Sequence, residues 1–202
     1  MTIQSYDSGL KQIGLLGARN FAATALNVLM NRQIVPIAAR NGFCLENLVS
    51  QSAQGFFQSN IRTLTAPRRF FSSIFGFNKE QEVRTIVPVI EEVQFRYLLQ
   101  QVILKHLPQT VLDRVFPNHN IDLDAVPFKI LRVLVTASLF AAFHLNQYSC
   151  EDGGGLDPFI GGLIYGTIIE AGGSIIHTII LHMLWNQFAQ YLDFAIENYL
   201  GL

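Results

Sequence analysis

The second half of the chain is made of long apolar runs that prolines and glycines separate. This alternation predicts four helices, near residues 86–105, 128–145, 158–171 and 174–197. Pro88 is expected either to kink or to restart the first of them, which should end near the segment from His106 to Pro108. The Gly172-Gly173 pair separates the last two helices. The pattern therefore predicts an all-α protein, a membrane-embedded multi-helix bundle.

The first 85 residues contain no apolar stretch that reaches the roughly 20 residues of a membrane span. Their apolar spacing predicts a first helix from about residue 7 to residue 31, and a second, amphipathic helix at about 43–59. Residues 1–6 lack the basic start and apolar run of a secretory signal peptide.

Arginines and a dense cluster of phenylalanines lie together in residues 67–77. This composition suits a membrane interface, where rings lie at headgroup depth and cations meet anionic lipid. The alternative is an ordinary loop whose Phe side chains fill a core. Asn78 and Gln81 form a capping pair, which predicts the start of a helix. The chain is accordingly divided into residues 1–85, with amphipathic helices and an interfacial segment, and a helical core at residues 86–202.

A polar stripe runs along the last predicted helix. Its members recur at every fourth position, namely Ser174, Thr178, His182, Asn186 and Gln190. A four-residue step drifts by about 40° round the axis, so the stripe winds slowly along an otherwise apolar helix. Polar groups on such a helix normally face the bundle interior or a wet cavity. On the preceding helix, Gly162 and Gly166 form a small-residue face for close helix packing.

Two adjacent carboxylates, Glu91 and Glu92, lie inside an apolar run and are followed by Arg96. A chain that required only a core or a membrane span would not place them there, because uncompensated buried charge is costly. On a helix, Glu92 and Arg96 are four residues apart and can pair. Glu91 lies about 100° round the axis and is left free for chemistry. The alternative is an exposed, solvated Glu-Glu-x-x-x-Arg face.

Composition narrows the class of protein. Half of the 202 residues are hydrophobic and 14% are charged, which is apolar for a soluble enzyme and mild for a polytopic membrane protein. The net charge of −1 gives no indication of nucleic acid as a partner. Cys44 and Cys150 have no metal-motif spacing and are expected to be buried or idle thiols.

Two further pairs share a helix face at a spacing of four, Phe140 with His144 and His182 with Asn186. A carboxylate, two imidazoles and an amide that converge in an apolar bundle can perform hydrolysis. A desolvated Glu acts as general base on water, His shares the proton, and Asn donates to an oxyanion. Two His and a carboxylate can also hold a catalytic metal, so both alternatives stay open. The other histidines are interpreted as structural, namely His106, His119 and His177.

The three motifs resemble, in their order, those of the CPBP intramembrane proteases: Glu91-Glu92-x-x-x-Arg96, Phe140-x-x-x-His144 and His182-x-x-x-Asn186. That family includes the type II CAAX prenyl proteases and bacteriocin-processing, immunity and abortive-infection-like proteins. The approach to the last motif, from Gly162-x-x-x-Gly166 to Gly173-Ser174, is similar too. The resemblance covers about residues 85–190.

The resemblance implies an intramembrane endopeptidase that hydrolyses a membrane-near or prenylated peptide. The candidate catalytic residues are Glu91, Glu92, Arg96, His144, His182 and Asn186. Among them, Glu91 and the two motif histidines are implied to activate water, and Asn186 to serve the oxyanion. No cofactor is favoured, and zinc held by Glu91, His144 and His182 is the alternative.

The expected partners are a peptide or lipidated protein substrate, the lipid bilayer and a membrane-protein partner, and the expected location is integral to the membrane or tightly associated with it. One alternative function is a non-proteolytic membrane scaffold or bacteriocin-immunity-type protein of the same fold. Another is a soluble or peripheral bundle that uses its Glu–Arg and His–Asn pairs structurally. Lys and Arg are nearly balanced between the loops, so they predict no orientation in the membrane.

Overall fold

A computed structural model describes residues 30, 33–49, 52–56, 66–147 and 155–200, with side chains up to residue 187 of the last helix. Within these ranges the protein is helical and has no strand. Its five main helices are α1 (Ala66–Phe75), α2 (79–115), α3 (Val126–His144), α4 (Leu156–Glu170) and α5 (Ile175–Leu200). The last three lie close to the predicted bounds, so the all-α prediction is confirmed for the described residues.

Helix α2 is continuous, but two hydrogen-bonding patterns alternate along it. Wide turns with i→i+5 bonds occupy Glu82–Ile86 and Val93–His106, between α-helical segments at Lys79–Gln81, Val87–Glu92 and Leu107–Val115. Pro88 and Pro108 each lie two residues after a wide stretch. A proline normally breaks a helix because it has no N–H and its ring meets the carbonyl four residues back. The wide turns relieve that contact, so the prediction that this helix ends near His106 is wrong.

The segments before α2 correct several expectations. The helix predicted for residues 7–31 lies outside the described residues, apart from residue 30. In place of a single helix at 43–59, the structure has a 3₁₀ turn at Leu45–Leu48 and a helical segment at 52–56. Cys44 is buried and disulfide-bonded, so the expectation of an idle thiol is wrong for it. Cys150 lies outside the described residues.

The aromatic segment forms α1 and does not fill a core. Phe70 and Phe75 are 63% and 60% exposed, so the alternative of a loop that plugs the interior is wrong. The capping pair that follows is confirmed: Asn78 Oδ1 accepts from Gln81 N at 2.9 Å, and Gln81 Oε1 accepts from Asn78 N at 3.1 Å. This box begins α2 at Lys79, seven residues before residue 86, where the second domain is predicted to begin. That domain boundary stays a prediction.

Helices α3 and α4 form the most extensive helix pair of the described ranges. Their backbones approach closely because α4 presents glycines to α3. A Cβ atom on Gly162 would lie 2.9 Å from Ala137 Cα, and one on Gly166 would lie 3.3 Å from Val133 Cγ1. The predicted small-residue face on α4 is therefore confirmed.

Replacing Gly162 with Ala is expected to destabilise the protein, because the new methyl group meets the Ala137 backbone and the two helices must separate. Overpacking of this kind costs about 1–3 kcal/mol. The matched control is Gly161→Ala, whose Cβ would lie 3.8 Å from the Tyr165 ring, an ordinary contact. We expect the control to be neutral or slightly stabilised by its better helix propensity. Unfolding in detergent measures both, and equal stability of the two variants would contradict the close α3–α4 contact.

A buried polar cluster ties α2, α3 and α4 together where α3 begins and α4 ends. Arg132 donates from Nε and Nη2 to the two carboxylate oxygens of Glu170, at 2.9 and 2.6 Å. Gln100 Nε2 donates to the same carboxylate at 3.0 Å. A two-pronged Arg–carboxylate pair is strong and geometrically specific, so it fixes the register of the helices. Beside it, Lys105 bonds Asp124 at 2.7 Å, and this hydrogen bond is the main reason that the pKa of Asp124 is lowered.

One helix of the described ranges, α3, is long and apolar enough to cross a membrane. Its 19 residues are about 28 Å long at 1.5 Å per residue, close to the thickness of a hydrocarbon core. Only 33% of the most apolar 18-residue stretch of α3 is buried inside the protein. Ile130 and Leu131 are each more than half exposed, so α3 leaves an apolar surface uncovered.

Candidate active site

Helix α2 points its two adjacent carboxylates in different directions. Glu92 faces the interior and is fully buried, as is Arg96 one turn later. Arg96 Nε lies 3.4 Å from Glu92 Oε2, which is the ion pair that the four-residue spacing predicts. The guanidinium also lies 5.3 Å from the ring centroid of Phe140 and 6.0 Å from that of Tyr165. The alternative of a solvated Glu-Glu-x-x-x-Arg face is therefore wrong.

Glu91 lines a cavity, and both motif histidines lie beside its carboxylate there. Its Oε1 lies 3.5 Å from His144 Nε2, and its Oε2 lies 3.6 Å from His182 Nε2. These separations are longer than the roughly 2.7–3.2 Å of a direct hydrogen bond. Each carboxylate oxygen of Glu91 therefore has one imidazole nitrogen beside it. The gap between oxygen and nitrogen lets one small molecule contact the carboxylate and the imidazole together.

The other ring nitrogen of each histidine is held by an acceptor. His144 Nδ1 lies 2.7 Å from the Phe140 carbonyl oxygen, and His182 Nδ1 lies 3.1 Å from Glu92 Oε1. Because a carbonyl and an ionised carboxylate only accept, Nδ1 carries the proton in both rings and Nε2 is turned towards Glu91. The ring of Phe140 packs on that of His144 with centroids 4.4 Å apart. Phe140 therefore fixes its histidine through both its carbonyl and its ring.

The cavity beside Glu91 has a volume of about 240 Å³, and a second one of about 150 Å³ adjoins it. Both are lined by Val83, Val87, Glu91, His144 and Gln147. The first is a polar lobe, whose wall includes Asp157, Tyr165, His182 and Asn186. The second is an apolar lobe, with Ile90, Phe95 and Phe143 in its wall and Arg68 at its side. Glu91 and His144 therefore stand between the two lobes.

Asn186 is hydrogen-bonded to a backbone carbonyl oxygen of α2 that a proline leaves without an N–H donor. In the wide turn, Val87 N donates to Glu82 O, five residues back. By the same step Val83 O would pair with Pro88, which has no N–H to offer. Asn186 Nδ2 donates to Val83 O at 3.2 Å. The amide therefore joins α5 to α2 at the cavity wall, and its second N–H is not used by this bond.

Tyr165 belongs to the site although the apolar pattern of α4 did not single it out. Its ring is stacked on that of His182, with centroids 5.3 Å apart and an interplanar angle of 28°. Asp157, Gly161 and Tyr165 all line the polar lobe. They are four residues apart, the same spacing that relates His182 to Asn186, and this was the signal that could have found them.

The histidines interpreted as structural lie away from this cavity. His119 Nε2 is 3.1 Å from Asp113, and His177 Nδ1 accepts from the backbone N–H of Ser174. In the part of the chain that the structure describes, no group of three or more His, Cys, Asp or Glu side chains is arranged to hold a metal ion.

Comparison with known proteins agrees with the motifs. A family model described as type II CAAX prenyl endopeptidase Rce1-like matches residues 83–188, which is more than half of the chain. The matched segment contains all three motifs and the helices that bring them together. No curated protein and no solved structure matches the chain. The resemblance is thereby confirmed, and the chain belongs to the Rce1-like type II CAAX prenyl endopeptidases, a family of membrane proteases.

Proposed function

We propose that this protein is an intramembrane endopeptidase that hydrolyses a membrane-near or prenylated peptide, with water activated by Glu91 and its flanking histidines. The observation that carries the proposal is the Glu91 carboxylate at the cavity wall, 3.5 Å from His144 Nε2 and 3.6 Å from His182 Nε2. A general base must lie within hydrogen-bond reach of its proton, directly or through one water. Unlike Glu92, Glu91 has no ion pair with an Arg or Lys in the described ranges, so its oxygens are available for this task.

Hydrolysis in this site proceeds by attack of water on the carbonyl carbon of the scissile peptide bond. Glu91 accepts one proton of the water as the new C–O bond forms, and the carbonyl oxygen becomes an oxyanion. The carbon–nitrogen bond then breaks, and the proton held on Glu91 passes to the leaving nitrogen. The products are a carboxylic acid on one fragment and an amine on the other, so atoms and charge balance.

The histidines and Asn186 assist from the wall of the polar lobe. With Nδ1 protonated in both rings, His144 and His182 present Nε2 to the same space as Glu91 and share the transferred proton. Asn186 donates one amide N–H to Val83 O, and its second N–H donates to the oxyanion. Removal of one such donor typically lowers kcat by about 10²–10³-fold.

The apolar lobe suits the lipid or apolar side chain of a substrate. Ile90, Phe95 and Phe143 lie in its wall, on the other side of Glu91 and His144 from the polar lobe. A prenyl group held there would place the neighbouring peptide bond beside the Glu91 carboxylate. Substrates of this kind are dissolved in the bilayer, which agrees with the uncovered apolar surface of α3.

Cleavage of a prenylated peptide with a C-terminal CAAX sequence tests the proposal. Purified protein in phosphatidylcholine vesicles is expected to release the C-terminal fragment, detected by mass spectrometry, with or without a chelator. Activity that a chelator abolishes and stoichiometric zinc restores would show a metal-dependent reaction instead. If prenylated and unmodified peptides all remain intact, the alternative of a non-proteolytic scaffold or immunity-type protein is favoured.

A further inference from the structure

Helix α1 is amphipathic, but it turns its polar face to the protein and its apolar face outward. Its inner face is polar, because Ser72 is buried and Arg68 forms an ion pair with Glu82 of α2. Its outer face carries two large apolar side chains, Phe70 (63% exposed) and Ile74 (59%), and Phe75 (60%) is exposed at the end of the helix. A helix on the surface of a protein in water turns its apolar stripe to the core. The outer face of α1 is therefore built for an apolar surrounding.

Contacts at the end of α1 fix this orientation. Gly76 has a φ of +66°, a left-handed conformation that side-chain-bearing residues rarely adopt, and it turns the chain sharply towards α2. Phe75 and Phe77 stack across the turn with centroids 5.7 Å apart. The helix packs on the 82–92 part of α2. A rotation that buried Phe70 would have to break the Arg68–Glu82 ion pair.

The depth of α1 follows from its neighbours. The part of α2 against which it packs carries Glu91, and Glu91 contacts His144, the last residue of α3. If α3 crosses the bilayer, as its length and composition allow, His144 lies at one membrane surface and α1 lies level with it. The ten residues of α1 are about 15 Å long, half the thickness of the hydrocarbon core, so α1 cannot span it. A short helix with a large apolar face lies in the plane of the interface.

We propose that Phe70 and Ile74 insert into the lipid bilayer at the boundary between headgroups and acyl chains, which makes α1 an interfacial helix beside the catalytic cavity. Arg68 on the opposite face of α1 lines the apolar lobe. A substrate held in the bilayer then reaches the cavity by passing along α1. This route for the substrate rests on the proposed function, whereas the lipid contact of α1 does not.

Tryptophan fluorescence in vesicles tests the lipid contact. The variant is Phe70→Trp, reconstituted in phosphatidylcholine that carries bromine at the headgroup end of its acyl chains. The wild type, whose one Trp lines the polar lobe, supplies the background signal. Phe116→Trp is the matched control, because Phe116 is 59% exposed but lies in the polar connector after α2. We expect bromine to quench the added fluorescence at position 70 at least twofold more strongly than at position 116.

Other outcomes overturn the proposal. Quenching of position 70 by aqueous iodide, with no effect of bromine, would place the face of α1 in water. Protection from both quenchers, together with a dimer in detergent by light scattering, would show that a second copy of the chain covers it. The double variant Phe70→Gln/Ile74→Gln is expected to cleave a vesicle-bound prenylated peptide several-fold more slowly and a short soluble peptide at the wild-type rate. A protein that cleaves neither peptide contradicts the proposed function, and the quenching result still decides the lipid contact.

Discussion

Replacing Glu91 with Gln is expected to lower kcat/KM for a prenylated CAAX peptide by about 10²–10⁴-fold, which is the usual contribution of a general base. Gln keeps the size and shape of the side chain but cannot accept a proton from water. Within the described ranges the substitution breaks no ion pair with an Arg or Lys, because the groups near Glu91 are the Nε2 atoms of His144 and His182 at 3.5 and 3.6 Å. We therefore expect the unfolding midpoint to stay close to that of the wild type.

The matched control is Glu80→Gln on the same helix. Glu80 forms an i,i+4 ion pair with Arg84 at 2.7 Å, its side chain is 68% exposed, and it lines neither lobe of the cavity. The control is expected to cleave the peptide at the wild-type rate. Equal activity of Glu91→Gln and wild type would remove Glu91 from the role of base. Equal losses in Glu91→Gln and Glu80→Gln would trace the effect to the charge of the helix and not to the site.

The meeting of the motifs could be predicted from the sequence because helical spacing decides which side chains share a face. Glu92 and Arg96 had to pair if both were buried, and this left Glu91 to face elsewhere. Phe140 with His144 and His182 with Asn186 followed from the same four-residue step. The spacing could not show that Glu92 also holds His182, since that contact joins residues 90 positions apart.

The prolines of α2 show where local rules were not enough. Proline is a helix breaker in an ordinary α-turn, so Pro108 predicted an end that the wide turn before it removes. No sequence pattern predicts such a wide turn. The hydrogen bond from Asn186 to the carbonyl oxygen of Val83, which depends on that turn, could therefore not be predicted either. The role of Asn186 as an anchor of α5 therefore needed the structure.

The Arg132–Glu170 pair was missed for a different reason. Each residue lies in an apolar helix, and neither has an oppositely charged residue within four positions along its own helix. Antiparallel packing of α3 on α4 brings the start of one helix to the end of the other, where the two side chains meet. The available signal was a pair of opposite charges at matching depths of a helical hairpin.

Replacing Glu92 with Gln is expected to harm the fold, in contrast to the same change one residue earlier. Glu92 and Arg96 are both fully buried, and Nε, Nη1 and Nη2 of Arg96 have no hydrogen bond within the described ranges. The carboxylate of Glu92 is thus the group that compensates the guanidinium charge. Removing one partner of a buried pair costs about 3–5 kcal/mol, because the other charge is left uncompensated. Gln still accepts a hydrogen bond from His182 Nδ1, so the loss of stability measures the effect of removing the negative charge alone.

Unfolding in mixed micelles measures this loss against Glu80→Gln, which removes the exposed i,i+4 pair of the same helix and should cost about 0.3–0.5 kcal/mol. Both changes delete a carboxylate four residues before an arginine, so burial is what distinguishes them. The double variant Glu92→Gln/Arg96→Met should recover part of the stability, since it removes the uncompensated charge as well. Equal losses in Glu92→Gln and Glu80→Gln, or a double variant less stable than Glu92→Gln, would show that the interior of α2 tolerates an unpaired guanidinium. Arg96 would then be held mainly by the rings of Phe140 and Tyr165.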